Sequence, residues 1–432
     1  MSRFFSALMA VITIAVSPNA FSVDTGNLDR TFASSGIARI GNDNQTLWAG
    51  GAVIQPDGKI LIAGSSSDRN YAHTMLLVRL HPDGQIDDQF GDKGIVKTKI
   101  GSNCYPRNIS LTPDGRIIVA GWAYVSEERV GITLAMYTPA GTLDSGFGNR
   151  GILIFPRDYL DSTVQTLAVQ RDGKILVSGG TTGNRPFPYT RRLPRSFLVR
   201  INSDGTFDST FGNNAVVAQD SPPWALRLQD DGKIVAGQFA QNQQNTSIVI
   251  TRYDAEGKPD KTFGANGKSV VPTTFNRIAS GALFDLGNGQ LVTLHGSLEK
   301  EPTHSVIAVR LNQDGSLDSN FGQAGVAVST TQFWHYSNLK FGMSIDGTFW
   351  IAGHSLRPRR PEDLYHYYDY GVAHLLTDGK MDSSFGSGGL RVVSVGSETD
   401  DPQGVVVEQN KRPIVIGHSA NRSGRQIVAI RF

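Results

Sequence analysis

The chain has 432 residues, of which 39% are hydrophobic and 19% are charged, and its formal net charge is +2. A charge so close to neutral argues against a general binder of nucleic acids, because such proteins need a strongly basic face. The single cysteine, Cys104, excludes an internal disulfide and is interpreted as a buried or half-buried thiol rather than a nucleophile.

The N-terminal segment has the pattern of a secretory signal peptide. Arg3 precedes an apolar run over residues 4–16, and Ala20 and Ser22 suit an A-x-A-like cleavage site. The run is too short to span a membrane. We therefore expect a signal peptide over residues 1–22 and one mature domain over residues 23–432. The protein would be exported to the periplasm or secreted, without membrane insertion.

Two sequence signatures alternate along the rest of the chain. The first, GQIDDQFGDKG, begins at Gly84 and returns from Gly141, Gly205, Gly257, Gly315 and Gly379, with a variant copy from Gly26. The second, QPDGKILIAG, begins at Gln55 and returns from Thr112, Gln170, Gln229 and Ser344, with weaker copies at Asn288 and Asn410. Recurrence at a period of roughly 50 to 65 residues indicates stacked or ring-closed structural units.

Each unit is predicted to contain four short β-strands. In the first complete unit they cover residues 51–55, 59–63, 75–80 and 94–100, which are rich in Val, Ile and Leu and bounded by glycine-containing turns. No stretch keeps a helical apolar stripe, so almost no helix is expected. Seven such units predict an all-β, seven-bladed β-propeller with four-stranded blades. A linear solenoid would need polar end caps, which are not seen.

The two ends of the chain predict how the ring closes. The C-terminal run over residues 427–432 matches the third strand of a unit, so the chain stops within a repeat. Residues 37–40 from the N-terminus would supply the missing outer strand. This pairing of the N-terminal strand with the C-terminal blade would remove an exposed sheet edge.

The alternation of DGKI-type and GxxDxxFG-type segments resembles the bacterial delta-sixty repeat family and, more distantly, NHL-type propeller repeats. The resemblance covers essentially the whole mature chain. It implies an exported β-propeller. The family carries no set of catalytic residues that can be mapped onto this sequence, and no cofactor is expected.

Two residue types recur at fixed places for structural reasons. A phenylalanine before the turn glycine is predicted to plug the space between neighbouring units. It is present as Phe32, Phe90, Phe147, Phe211, Phe263, Phe321 and Phe385. An arginine on the third strand, eight residues before an aspartate, is predicted to tie that strand to its own turn. The arginines are Arg79, Arg200, Arg252 and Arg310, with Arg431 facing Asp29 across the ring closure and His374 as a structural substitute.

Metal binding is weakly indicated by two patterns. The turns over residues 202–208 and 312–318 resemble the start of a calcium loop but lack the acidic residue that closes it. His295, His354 and His418 lie at similar places on neighbouring units, which should hold them about 10 Å apart. No metal is therefore predicted, although calcium-dependent adhesion stays open as an alternative.

Ligand binding is predicted on the face that carries the long, non-repeating loops. Aromatic rings and guanidinium groups there suit a sugar ring, a carboxylated polymer or a peptide, although such loops also simply pack over blade ends. The candidate residues are Trp48, Arg107, Trp122, Gln165, Trp224, Trp334, Lys340, His354, Tyr365, His366, Tyr367 and Gln403.

Catalytic motifs are absent from the sequence, which has no G-x-S-x-G, no H-E-x-x-H and no P-loop. We therefore predict a monomeric, non-catalytic binding or scaffold module. Its partner would be a polysaccharide, a cell-envelope component or a protein. The enzyme alternative is a lyase or hydrolase that acts on a carbohydrate through Tyr, His and Arg of the long loops.

Overall fold

The computed structural model describes residues 28–41, 45–68, 71–126, 129–156, 162–181, 196–242, 244–297, 305–331, 333, 338–357, 367–422 and 424–432. The segment predicted to be a signal peptide lies outside these residues. The described part of the chain is built from β-strands and contains no α-helix, and none of its elements is a helix that could cross a membrane.

The strands follow the chain in this order. The first five are β1 (Ile37–Ile40), β2 (Thr46–Ile54), β3 (Ile60–Ser67), β4 (His73–Leu80) and β5 (Ile95–Thr98). Next come β6 (Cys104–Leu111), β7 (Ile117–Ser126), β8 (Arg129–Tyr137), β9 (Ile152–Ile154), β10 (Ser162–Val169), β11 (Ile175–Thr181), β12 (Ser196–Ile201) and β13 (Val216–Gln219). They are followed by β14 (Ala225–Leu228), β15 (Ile234–Gln241), β16 (Thr246–Tyr253), β17 (Lys268–Val271), β18 (Ile278–Asp285), β19 (Leu291–Ser297), β20 (Ser305–Leu311) and β21 (Val326–Thr330). The last are β22 (Lys340–Met343), β23 (Phe349–Leu356), β24 (Tyr368–Leu375), β25 (Leu390–Val393), β26 (Asp400–Val407), β27 (Pro413–Asn421) and β28 (Gly424–Arg431).

Asp-Gly turns connect the first and second strands of the units. Gly58 has a φ of 82°, a conformation that glycine adopts without steric strain. The preceding Asp57 accepts a hydrogen bond from the backbone N–H of Lys59 at 3.2 Å. The turn is therefore closed by local hydrogen bonds, which explains why the sequence repeats this pair.

The strands form five separate four-stranded sheets and one eight-stranded sheet. The four-stranded sheets are β6–β9, β10–β13, β14–β17, β18–β21 and β22–β25. The eight-stranded sheet has the order β26-β27-β28-β2-β3-β4-β5, and β1 also pairs with β28. The prediction of a seven-bladed propeller is therefore wrong, because only five four-stranded blades are separate in the structure.

A single contact causes this difference from the predicted blade count. Thr46 at the start of β2 pairs in parallel with Arg425 at the start of β28, and the Arg425 N–H donates to the Gln45 carbonyl at 2.8 Å. These bonds join strands from the two ends of the chain into one sheet. The repeat pattern could not predict them, since no other unit carries the corresponding pair.

The ring closes through the N-terminal strand, as the positions of the termini predict. β1 pairs antiparallel with β28, from Ile37 with Ile430 to Ile40 with Ile427. The first strands of successive units are neighbours in the order β2, β6, β10, β14, β18, β22 and β26, and β26 in turn contacts β2. This closed circle makes the protein an all-β propeller.

The repeated phenylalanines fill the spaces between sheets, which confirms their predicted role. Six of them are fully buried and Phe385 is 3% exposed. The next unit closes directly on each ring: a Cβ added to Gly141 would lie 2.8 Å from the Phe90 ring. Burying an aromatic side chain at each junction contributes a large apolar area.

The repeated arginines bind their predicted aspartates. Arg79 Nε donates to Asp87 Oδ2 at 2.7 Å, and the equivalent bonds join Arg200, Arg252, Arg310 and Arg431 to Asp208, Asp260, Asp318 and Asp29. Arg79 also donates from Nη1 to the Pro139 carbonyl in the next unit at 2.7 Å. The arginine therefore ties its strand to its own turn and to the adjacent sheet.

Two units replace this arginine without losing the tie to the aspartate. His374 Nδ1 lies 2.9 Å from Asp382 Oδ2, which confirms it as a structural substitute. Where Met136 takes the place of arginine, Arg116 approaches from the preceding hairpin and its Nη1 donates to Asp144 Oδ2 at 2.9 Å.

Candidate functional site

An open cavity of about 630 Å³ lies where β2, β6, β10, β22 and β26 come together. Half of the predicted site residues line it. They are Trp48, Arg107, Trp122, Gln165, Lys340 and Gln403.

β-Bulges place several of these residues at the cavity. The pairing of a first strand with its second strand skips one residue at Gly50, Arg107, Gln165 and Gln403. A bulged residue is left out of the ladder and locally bends its strand. All four skipped residues line the cavity, so the irregularity of each strand brings one residue to it.

Residues two positions earlier add a second row to the lining. Trp48, Tyr105, Asn338 and Asp401 precede Gly50, Arg107, Lys340 and Gln403 by two positions, and all of them line the cavity. Alternate residues of a strand face the same side. Asp401 on β26 follows from this rule, whereas Asn338 precedes the first residue of β22 and does not. The sequence analysis predicts neither. His73 also lines the cavity, and no repeated pattern singles it out.

One side of the cavity is an aromatic wall formed by Trp48, His73, Tyr105 and Trp122. The Tyr105 and Trp122 rings are stacked, with centroids 4.1 Å apart and planes inclined by 26°. His73 lies 4.7 Å from Tyr105 and 6.3 Å from Trp48. Flat, half-exposed rings of this kind provide a surface on which a sugar ring can stack.

Lys340, Asn338 and Asp401 form a polar chain in the same cavity. Lys340 Nζ donates to Asn338 Oδ1 at 2.8 Å, and Asn338 Nδ2 donates to Asp401 Oδ1 at 2.9 Å. Two histidines hold the other end of the chain. His354 Nε2 lies 3.1 Å from Asp401 Oδ1, and His418 Nε2 lies 3.3 Å from Asp401 Oδ2.

The charge states of this chain follow from burial and from neighbouring groups. Burial lowers the pKa of Lys340 to about 8, a shift that Asp401 opposes and the Arg107 cation reinforces. Burial acts to raise the pKa of Asp401, but hydrogen bonds from His354 and His418 outweigh it and hold that pKa well below its usual range. Burial also lowers the pKa of His418. Asp401 is therefore anionic at neutral pH, and Lys340 is close to its titration range.

The remaining predicted site residues have other surroundings. Trp224 does not line this cavity, because its ring covers Gly281, where a Cβ would lie 2.6 Å away, and meets His295 edge-on at 4.9 Å. His354 is buried and contacts Asp401, while the Tyr367 carbonyl accepts a hydrogen bond from the Arg357 N–H at 3.0 Å. Trp334, Tyr365 and His366 lie outside the described residues.

The histidine spacing differs from the sequence-based expectation. His354 and His418 belong to neighbouring units, yet both reach one carboxylate, Asp401. Among the described residues, no group of three or more His, Cys, Asp or Glu is arranged to hold a metal ion.

The aspartates of the calcium-like turns make local hydrogen bonds. Asp204 Oδ1 accepts from both the backbone N–H and the hydroxyl of Thr206, at 2.9 Å and 2.7 Å, and Asp208 is bound by Arg200. Cys104 is buried, which raises the pKa of its thiol to about 12. At that pKa the thiol stays protonated at neutral pH, so it is a poor nucleophile.

A family model described as "Domain of unknown function (DUF5122) beta-propeller" matches residues 55–90, 112–147, 170–211, 229–263 and 305–321. These matches support assignment of the chain to a β-propeller family. No protein with a curated description matches the sequence.

Several solved structures are similar over most of their length. A glucose dehydrogenase is 11% identical, with 91% of this chain and 99% of that chain covered and a TM-score of 0.41. The β-propeller domain of the Trilobed protease from Pyrococcus furiosus is 10% identical, with coverages of 89% and 93% and a TM-score of 0.44. An α-L-arabinanase from Penicillium chrysogenum is 13% identical, with coverages of 91% and 96% and a TM-score of 0.41. Their activities differ from one another, and none is carried over to this chain.

Proposed function

We propose that this β-propeller is an exported binding module whose cavity takes a carboxylated sugar unit of a polysaccharide. The observation that carries the proposal is the presence of the stacked Tyr105 and Trp122 rings, Arg107 and Lys340 in one open cavity. We also infer that the repeats are of the delta-sixty type and that one domain over residues 23–432 follows a signal peptide.

The charges of the cavity favour an anionic group on the ligand. The exposed Arg107 guanidinium and the half-buried Lys340 ammonium both line it. A guanidinium binds a carboxylate through two parallel hydrogen bonds, which an ammonium cannot do. The one carboxylate among the described lining residues, Asp401, is already bound by Asn338 and two histidines. The two cations are therefore available to an incoming carboxylate.

The aromatic wall favours a ring over an extended peptide. Tyr105 and Trp122 stack on each other and both line the cavity, where aromatic rings favour contact with a sugar ring. Gln165 and Gln403 add amide groups that can bond sugar hydroxyls. A saccharide with a carboxylate uses all of these groups at once.

Calorimetric titration with galacturonate oligomers tests the proposal. Changing Trp122→Ala should weaken binding by about two- to tenfold, since a lost stacking contact of roughly 0.5–1.5 kcal/mol corresponds to that range. Arg107→Gln should weaken it by at least as much. Galactose oligomers, which lack the carboxylate, should bind more weakly to the unaltered protein.

The matched control is Tyr71→Ala, because Tyr71 is an aromatic residue that is 82% exposed and does not line the cavity. It should bind galacturonate oligomers like the unaltered protein. Equal affinity of the Trp122 and Tyr71 variants would contradict the proposed stacking, and equal affinity for both sugars would contradict the proposed charge recognition.

A further inference from the structure

We propose that the cavity cleaves the saccharide it binds, by β-elimination at a uronate unit, with Lys340 as the base and Arg107 as the carboxylate receptor. The inference rests on the proposed function, since it needs a uronate in the cavity. Its observation is that an amine and a guanidinium line one open cavity beside an aromatic wall.

The Arg107 guanidinium would overcome the first difficulty of this elimination, which is the weak acidity of the C5 proton. The C5 proton of a uronate is weakly acidic because its removal places charge next to a carboxylate that is already negative. A guanidinium paired with that carboxylate neutralises it and stabilises the charge that develops on its oxygens. Arg107 protrudes from a β-bulge into the cavity, where its side chain is exposed to a ligand.

Lys340 meets the requirements of the base. It begins β22, lines the cavity and is positioned by its bond to Asn338 Oδ1 at 2.8 Å. Asn338 Nδ2 in turn donates a hydrogen bond to Asp401 Oδ1 at 2.9 Å, so this chain of hydrogen bonds fixes the position of the Lys340 amine. With a pKa of about 8, roughly a tenth of the lysine is neutral at pH 7. A base with a pKa near the working pH is the most effective one.

The reaction is balanced without an oxidant or a metal. Lys340 Nζ takes the C5 proton, and the electron pair of the C5–H bond forms the C4=C5 double bond. The C4–O bond to the next sugar then breaks, and its oxygen takes a proton back from the Lys340 ammonium. One C–H and one C–O bond are broken, one C=C and one O–H bond are formed, and the lysine returns to its starting state.

Hydrolysis fits the same cavity less well. A glycosidase generally needs two carboxyl groups on either side of the bond, one as acid and one as base or nucleophile. Among the described lining residues only Asp401 carries a carboxyl group. Its oxygens are already in contact with Asn338, His354 and His418. The available groups are therefore cations, as elimination requires.

The test measures the ultraviolet absorbance of the conjugated double bond during incubation with polygalacturonate, alginate and hyaluronan. Cleavage of at least one polymer is expected. Lys340→Met should reduce the rate by about 100-fold or more, the usual contribution of a general base. Lys340→Arg should reduce it similarly, because a guanidinium does not lose its proton near neutral pH, while binding should stay within about threefold. Lys380→Met, an exposed lysine outside the cavity, serves as the control that keeps the full rate.

The kcat/KM, which reports the protein before it binds the polymer, should rise with pH through about 8 as Lys340 loses its proton. Other charged or titratable groups lining this cavity are Arg107, Asp401, His73, His418 and Tyr105. Of these, His73 and His418 have a pKa below the ordinary value and Tyr105 has a pKa above it, so a rise centred near 8 reports Lys340.

The outcomes separate the two proposals. Binding of a polymer without any rise in absorbance, or an unchanged rate in Lys340→Arg, would overturn the elimination and leave the binding proposal intact. Failure of all three polymers to bind in calorimetry would overturn both.

Discussion

Lys340 shows how a single half-buried side chain acquires a distinctive charge state. Its ammonium is shielded from water on one side and lies near the Arg107 cation, so its positive form is destabilised. Asp401 partly compensates. Because a bound carboxylate would supply the missing negative charge, ligand binding and protonation of Lys340 should favour each other.

This coupling predicts a pH dependence of binding. Affinity for a galacturonate oligomer should fall as the pH rises from about 7 to about 9, because Lys340 loses its charge around 8. Lys340→Arg should remove this fall, since arginine keeps its charge throughout. Calorimetry at several pH values provides the measurement, and an unchanged slope in the arginine variant would contradict the assignment.

At the same scale, six of the sixteen described residues that line the cavity are predicted from the sequence. Arg107, Gln165, Lys340 and Gln403 were found because they occupy the inner position of repeated strands. Asp401 lies two residues before Gln403 on the same strand, so strand alternation accounts for its position, whereas Asn338 precedes β22 and follows no such rule. Trp224 was predicted to bind a ligand but does not line the cavity, because its ring packs over Gly281. Only the structure reveals this contact.

At the scale of the repeated element, the tie between the third strand and its turn comes in two forms besides the one that uses His374. In the common form an arginine such as Arg252 binds Asp260 at 2.8 Å, and a lysine such as Lys233 lies 3.7 Å from the same carboxylate. In the other form Met136 replaces that arginine, and Arg116 takes the place of the lysine. The chain thus contains its own example of compensation.

This pair of forms predicts a suppressor. Arg252→Met should lower the free energy of unfolding by about 3 kcal/mol, because the Asp260 side chain, only 9% exposed, loses its main partner. Adding Lys233→Arg should recover part of this loss by recreating the arrangement of Met136 and Arg116. Lys233→Arg alone should change stability by less than about 0.5 kcal/mol.

Denaturant unfolding of the three variants provides the measurement. A double variant no more stable than Arg252→Met would show that the two forms are not interchangeable.

The Phe plug and the arginine tie were themselves predicted from the repeat, because residues that serve packing recur with every unit. The second hydrogen bond of the arginine, to a carbonyl of the next unit, was not predicted, because the sequence of one repeat does not show which carbonyl of the neighbouring unit lies close to it.

At the scale of the whole molecule, the ends of the chain form its most distinctive junction. β1 is held to β28 by backbone pairing and by Arg431, whose Nε donates to Asp29 at 2.9 Å. Burial acts to raise the pKa of Asp29, but hydrogen bonds from Thr31 and the attraction of Arg431 lower it to about 2. Since this folded-state pKa is depressed, the junction is fully stabilised above about pH 4 and loses that contribution as the pH falls towards 2.

The junction should therefore open before the interior of the ring. In Asp29→Asn at neutral pH, hydrogen exchange should accelerate in β1 and β28, because no short connection holds these strands together. Asp318→Asn removes the same type of tie between β20 and β21, which are joined through a nearby turn, and serves as the matched control. Equal acceleration at both places would contradict a special weakness of the closure.

How far the fold follows from the sequence also depends on scale. The strand content, the turns and the pairing of the two termini follow from patterns repeated in every unit. The number of separate blades does not, because it depends on the single pairing of Thr46 with Arg425 that fuses two sets of strands. A contact that occurs once does not recur in the sequence. The repeats therefore predict the structure of a unit but not a contact such as this one.

The bulges in the first strands have a further consequence for how this protein could diversify. Gly50 cannot be replaced by a larger residue without a steric clash, because a Cβ there would lie 2.2 Å from the Pro106 carbonyl oxygen. Arg107, Gln165 and Gln403 each stand outside the hydrogen-bonded ladder, so exchanging these side chains leaves every backbone bond of the scaffold in place. Under the proposed function, these three positions can therefore change ligand preference while the fold stays the same.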